Sequence, residues 1–157
     1  MGNYVRRGIA GYRWLPAVAN INAPTVAEIA AGTDLTPAVN EINGFQATTE
    51  FANGATAETR FDAQVRGTRS IADSSITFVD DNVDDELRAL LADGEAGFLL
   101  FSPYDMTPAA ADKVEVWPVE SGGMNRQWDA TGNNMATQVA GFAVTAEPAL
   151  DAVVAGP

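Results

Sequence analysis

Ala57-Glu58-Thr59-Arg60-Phe61-Asp62-Ala63-Gln64-Val65-Arg66-Gly67 is the stretch on which the fold turns. Glu58, Arg60, Asp62, Gln64 and Arg66 alternate without a break with Ala57, Thr59, Phe61, Ala63 and Val65. A period of two puts one set on each face of a β-strand. The pattern predicts a strand over 57–67, with its apolar face turned to a core.

Downstream, 74–79 reads as a strand with Ile76 and Phe78 on one face. Asp80-Asp81-Asn82-Val83-Asp84-Asp85-Glu86 then leads into Leu87, Leu90 and Leu91. Acids followed by apolar residues at helical spacing predict an amphipathic helix, closed by Asp93-Gly94. The run Phe98-Leu99-Leu100-Phe101, within a strand over 96–104, is apolar at every position, as in a strand buried on both faces. A strand over 113–119 sets Val114 and Val116 against Glu115 and Trp117. Ser121-Gly122-Gly123 predicts a hairpin turn, followed by a short strand through Gln127 and Trp128. Thr131-Gly132-Asn133-Asn134 predicts another turn, and 135–146 the last long strand; from Glu147 onward the chain reads as an Ala/Val-rich tail.

Upstream, 11–18 reads as a strand whose Pro16 places it at an edge or an end. Thr25 and Glu28 form a capping box for a short helix over 26–31, ended by Gly32. The stretch 34–43 fits neither period, 44–51 reads as a strand, and Asn53-Gly54 signals a turn. The sum is a mainly β chain of about seven to eight strands. It predicts a β-sandwich or partial barrel with a flanking α-helix, as one domain over 1–157.

The 157 residues are 46% hydrophobic and 19% charged, the profile of a folded domain instead of a disordered chain. Their 14 Gly and 8 Pro follow no period, so no collagen or repeat architecture is expected. His and Cys are both absent. The chain therefore lacks the usual general base at neutral pH, the thiolate nucleophile and the preferred ligands of zinc, copper and iron. Disulfides are impossible, which leaves packing and association to supply stability.

Formal net charge is −12, a balance that repels nucleic acid and anionic membrane and also favours solubility. Arg6, Arg7 and Arg13 precede every acid, and the remainder holds 6 basic against 21 acidic groups, a net of −15. Residues 1–13 thus read either as a basic arm that docks on the acidic body of another copy or as a solvated terminus. The start has no apolar leader core, and no apolar run approaches the ~20 residues of a membrane span.

Carboxylates are the remaining chemistry. Asp80, Asn82 and Asp84 have the first spacings of a calcium loop, but Asp85 and Leu91 stand where that loop needs Gly and Glu. No acid pair is singled out for glycoside hydrolysis. Neither a nucleophile elbow nor a phosphate-binding glycine loop occurs. Trp14, Trp117 and Trp128 fit a core or an interface, with sugar stacking as the rival use. No catalytic residue, metal or cofactor is expected.

Several segments, in order, resemble the major tail tube proteins of long-tailed bacteriophages, in particular those infecting actinobacteria. They are Asn3-Tyr4-Val5-Arg6-Arg7-Gly8 with Trp14-Leu15-Pro16, Pro24-Thr25-Val26-Ala27-Glu28-Ile29 with Gly32-Thr33-Asp34-Leu35, and Glu41-Ile42-Asn43-Gly44-Phe45. Asp73-Ser74-Ser75-Ile76-Thr77-Phe78, Gly97-Phe98, Glu115-Val116-Trp117-Pro118-Val119 and Gly141-Phe142-Ala143-Val144-Thr145 continue the series. The resemblance implies a structural subunit of a non-contractile tail, made in the host cytoplasm. Six copies would form a ring, and rings would stack into a tube whose lumen passes DNA without binding it. It implies this chain itself as the main partner, with tape measure and tail-end proteins beyond it, and no membrane. The face of Glu58, Arg60, Asp62, Gln64 and Arg66 would line the lumen or form an inter-subunit ladder. Residues 1–13 or the loop at 46–56 would reach a neighbour. A tail terminator, a capsid decoration protein and a carbohydrate-binding module are the alternatives.

Overall fold

The computed structural model describes residues 2–83 and 85–156. Its elements are β1 (Gly11–Leu15), α1 (Val26–Ala31), β2 (Thr33–Asp34), β3 (Val39–Asn43), β4 (Ala47–Gly54) and β5 (Ala63–Ile71). There follow β6 (Ser74–Val79), α2 (Glu86–Leu90), β7 (Ala96–Ser102), β8 (Lys113–Gln127), β9 (Thr137–Val144) and β10 (Ala149–Val153). The mainly β class expected from sequence is the one observed.

The main sheet is antiparallel in the order β2-β1-β7-β8-β9-β6-β3, with β10 paired to β8. Residues 35–38 tie its two ends together. The Leu35 amide donates to the Tyr12 carbonyl at 2.9 Å, and the Val79 amide to the Ala38 carbonyl at 2.8 Å. The Tyr12 amide donates to Thr36 Oγ1 at 3.0 Å. The sheet is thereby curled into a partial barrel. Trp14, Phe45, Phe78, Leu99, Trp117 and Phe142 come from five strands and one loop, yet belong to one buried inner cluster.

A second cluster lies on the outer face, where Leu15, Leu100, Val114 and Val116 meet Ile29 of α1 and Ala152 of β10. Leu99 faces the inner cluster and Leu100 the outer one, which is why β7 is apolar at successive positions. Trp14 crosses β7 at Gly97, where an added Cβ would stand 2.5 Å from the indole.

The capping box of α1 is formed as the sequence predicts. Thr25 Oγ1 accepts from the Glu28 amide at 3.2 Å, and Glu28 Oε2 accepts from the Thr25 amide at 2.8 Å. The amides of Thr25 and then Ala19 hold the Glu28 carboxyl below its usual range. The second helix is shorter than its acidic approach suggests. It has five residues, and its N-cap Asp85 makes no side-chain capping bond. Its apolar side is used, with Leu91 buried and Leu87 and Leu90 packed against the inner cluster.

Two expected features take another form. Ser121-Gly122-Gly123 is a bulge within one continuous strand, with the β9 register shifting between Ser121 and Met124. Gly123 supplies a left-handed residue at φ +80°. The strand does not reverse there because Met124 and the residues after it stay paired to β9. The Ala/Val-rich tail forms β10 because Ala149 and Ala152 complete the outer cluster.

Candidate assembly surfaces

β4 and β5 leave the main sheet and pair with each other, from Ala47↔Ile71 to Gly54↔Ala63. Their exit is built by Gly44 at φ +78° and Phe45 at φ 54°, successive left-handed residues that turn the chain sharply after β3. Phe45 is fixed there by its amide, which donates to Ser74 Oγ at 2.9 Å. Its ring stands edge-on to Phe101 and Trp117, with centroids 5.1 and 5.4 Å away. At the hairpin root, Arg69 Nη1 meets Glu147 Oε1 at 2.8 Å, beside a cleft of about 500 Å³.

Beyond the root the hairpin is bare. Phe51 is 61% and Val65 62% exposed. The strand expected over 57–67 is therefore corrected in two respects. The strand runs Ala63–Ile71; Ile71 at its root packs on the inner cluster, and no core lies against Val65 beyond it. Alternation fixes which residues share a face but cannot say that a face has a partner within the same chain. Glu58, Arg60 and Asp62 lie in the connection 55–62, off any strand. A local bond from Thr59 Oγ1 to the Phe61 carbonyl (2.9 Å) lies within this connection. Gln64 and Arg66 keep a strand face, opposite Asn53 and Phe51. The turn expected at Asn53-Gly54 is instead the end of β4, and the strand expected over 44–51 runs Ala47–Gly54.

The three early arginines separate. Arg6 and Arg7 are exposed, but the amides of Ile9 and Ala10 both donate to the Arg6 carbonyl, at 3.0 and 2.9 Å, so the chain turns here. Tyr4 packs on Tyr104 with the rings tilted and their centroids 5.6 Å apart. The Arg6 pKa is raised, chiefly by its hydrogen bond to the Tyr4 side chain; burial opposes this and Glu115 adds to it. Arg13 is part of β1, paired across from Asp34, with Nη1 on the Ile29 carbonyl at 3.4 Å. The exposed segment thus ends before Gly11, short of residue 13, because Gly11 already pairs with Ser102 of β7.

At the opposite end of the sheet, Arg126 bridges Asp80 at 3.3 Å and Asp85 at 3.4 Å. Gln138 donates to Asp80 and accepts from Arg88. Asp81 caps the Val83 amide at 2.9 Å. These acids brace the loop before α2, and Asp84 lies outside the described residues. Among the described residues, no group of three His, Cys, Asp or Glu is placed to hold a metal. Nor does any helix among them have the length and apolarity to cross a membrane. Trp14 and Trp117 are core residues while Trp128 is 88% exposed, so the tryptophans form no common platform. The exposed Trp128 was legible only as an aromatic; its outward position follows from the β8–β9 connection.

The curled sheet thus carries a bare hairpin at one end and a braced acidic loop at the other, with no catalytic or metal-binding cluster among the described residues. The family model described as "Phage tail tube protein" matches residues 1–157. The chain belongs to that family: it is a structural, oligomeric component of a bacteriophage tail, with no enzymatic role, and its place is the virion. No curated protein matches it. Among solved structures, it is similar in fold to a chain of the "anti-feeding prophage (AFP) baseplate, 6-fold symmetrised", with a TM-score of 0.60 at 10% identity. That match covers 93% of this chain and 95% of the other.

Proposed function

We propose that the chain, acting as one domain, forms rings of six that stack head to tail into a hollow tube conducting DNA. The observation that carries this reading is a hairpin with two bare faces on a subunit of the tail tube family. A two-stranded hairpin is marginal in water by itself, so its apolar side chains call for a neighbour. The outer edges of β2 and β3 have no partner strand among the described residues, which suits pairing between subunits around a ring. The similar baseplate chain comes from a sixfold assembly, which favours six as the ring number.

In this reading the hairpin and the segment 2–9 are the reaching elements. Arg6 and Arg7 meet the acidic body of the next copy. The face of Gln64 and Arg66 serves a contact between subunits in preference to the lumen, because it shares the hairpin with exposed Phe51. The net charge of −12 gives the channel a wall that repels DNA. Tape measure and tail-end proteins are the further partners.

Deletion of residues 2–8 tests the arm. The variant is expected to remain a folded monomer with an unchanged circular dichroism spectrum and to form no tubes. Tubes of ordinary length from that variant would contradict the reading.

A further inference from the structure

The registers fix where the projecting elements stand. Asn43↔Ser75 and Ser74↔Phe142 mark the end of the sheet from which the β4–β5 hairpin leaves. Val79↔Thr137 and Gln127↔Thr137 mark the other end, from which the connection 128–136 projects. The six residues of β6 span the interval, roughly 20 Å at strand rise.

The connection is cross-linked by its own hydrogen bonds. Asp129 accepts from the amides of Gly132 at 2.7 Å and Thr131 at 3.2 Å, and from Asn134 Nδ2 at 3.3 Å. The Asp80 amide donates to the Ala136 carbonyl at 2.8 Å, and Arg126 braces the strand beneath. On this support stand Trp128, 88% exposed, and Met135, 72% exposed. A solvent-facing indole beside this turn has the chemistry of an interface anchor.

The two poles complement each other. Asp80 and Asp129 line the hollow beside Trp128 and Met135 together with Arg126, which also meets Asp85, so acids outnumber cations there. On the hairpin, Arg69 is taken up by Glu147 at the root and Glu50 bonds Thr68, which leaves Arg66 as the cation of the exposed part of β5. Phe51 and Arg66 are directly paired, so one hairpin face offers an aromatic ring and a cation together. Two different patches at opposite ends make a heterologous contact, which repeats along an axis.

We propose that the Trp128/Met135 tip is the docking surface for a second copy of this chain. It receives the Phe51/Arg66 face of that copy's hairpin, with Phe51 against the indole and Arg66 toward the acids. The inference rests on the assembly reading above and names the receiving site that reading lacks.

The absence of cysteine makes a clean test possible. Under mild oxidation, the double variant Phe51→Cys/Met135→Cys is expected to give a ladder of covalent multimers in assembled protein, and neither single variant should. Trp128→Ser, a change at an exposed site, is expected to keep the monomer melting temperature and shorten tubes severalfold or leave single rings. Full-length tubes from Trp128→Ser without a ladder from the double variant would overturn this inference alone. A wild-type chain that forms no tubes would overturn it together with the assembly reading.

Discussion

Phe45 is the residue on which the hairpin's direction depends. It adopts a left-handed backbone unusual for an aromatic residue, and the surrounding rings and Ser74 hold it there. Phe45→Ala should destabilise the subunit by about 3–5 kcal/mol, as for a buried aromatic. A lower urea midpoint with an unchanged slope is the expected readout. Glu28 gives a pH signature. Its folded-state pKa is lowered by the Thr25 and Ala19 amides. The stability it adds is present above the unfolded carboxyl's ordinary range and is lost as pH falls through the lower folded value. Thermal melts at about pH 7 and about pH 3 should differ less for Glu28→Gln than for the wild type. An equal difference would show that the capping bonds do not carry it.

At the scale of elements, the β4–β5 hairpin is exposed throughout residues 52–65, whose removal should spare the fold. Replacing residues 52–65 by a two-residue turn should leave the melting temperature within a few degrees and abolish stacking, as read by sedimentation. Loss of folding would mean that the hairpin belongs to the core. The sheet was largely legible from sequence. β6, α1 and β7 lie where periodicity and the capping box place them, because their side chains meet partners inside the chain. The hairpin was not, since its alternation at 57–67 looks like that of a half-buried strand while residues 51–70 are exposed and meet no core of the chain. Gly122-Gly123 misled for a related reason: glycine permits a left-handed residue in a bulge as readily as in a turn, and only β9 decides between them. Arg13 was grouped with Arg6 and Arg7 by charge, although the pairing of Gly11 with β7 puts it inside the sheet.

At the scale of the whole molecule, the chain combines a strong negative charge with two unlike ends. In the proposed assembly, a body with net charge −12 would repel DNA, and two unlike poles would favour head-to-tail association of copies. Assembled protein should therefore show no binding to duplex DNA at about 0.15 M salt, where exposed charges still act over ~8 Å. Retention of DNA in a co-sedimentation assay would remove the idea of a repelling wall. The most direct test of the central claim is negative-stain electron microscopy of the purified wild-type chain. Open-ended filaments of stacked rings with a stained central channel are expected. A field of monodisperse monomers at high protein concentration, or closed shells without a channel, would contradict it.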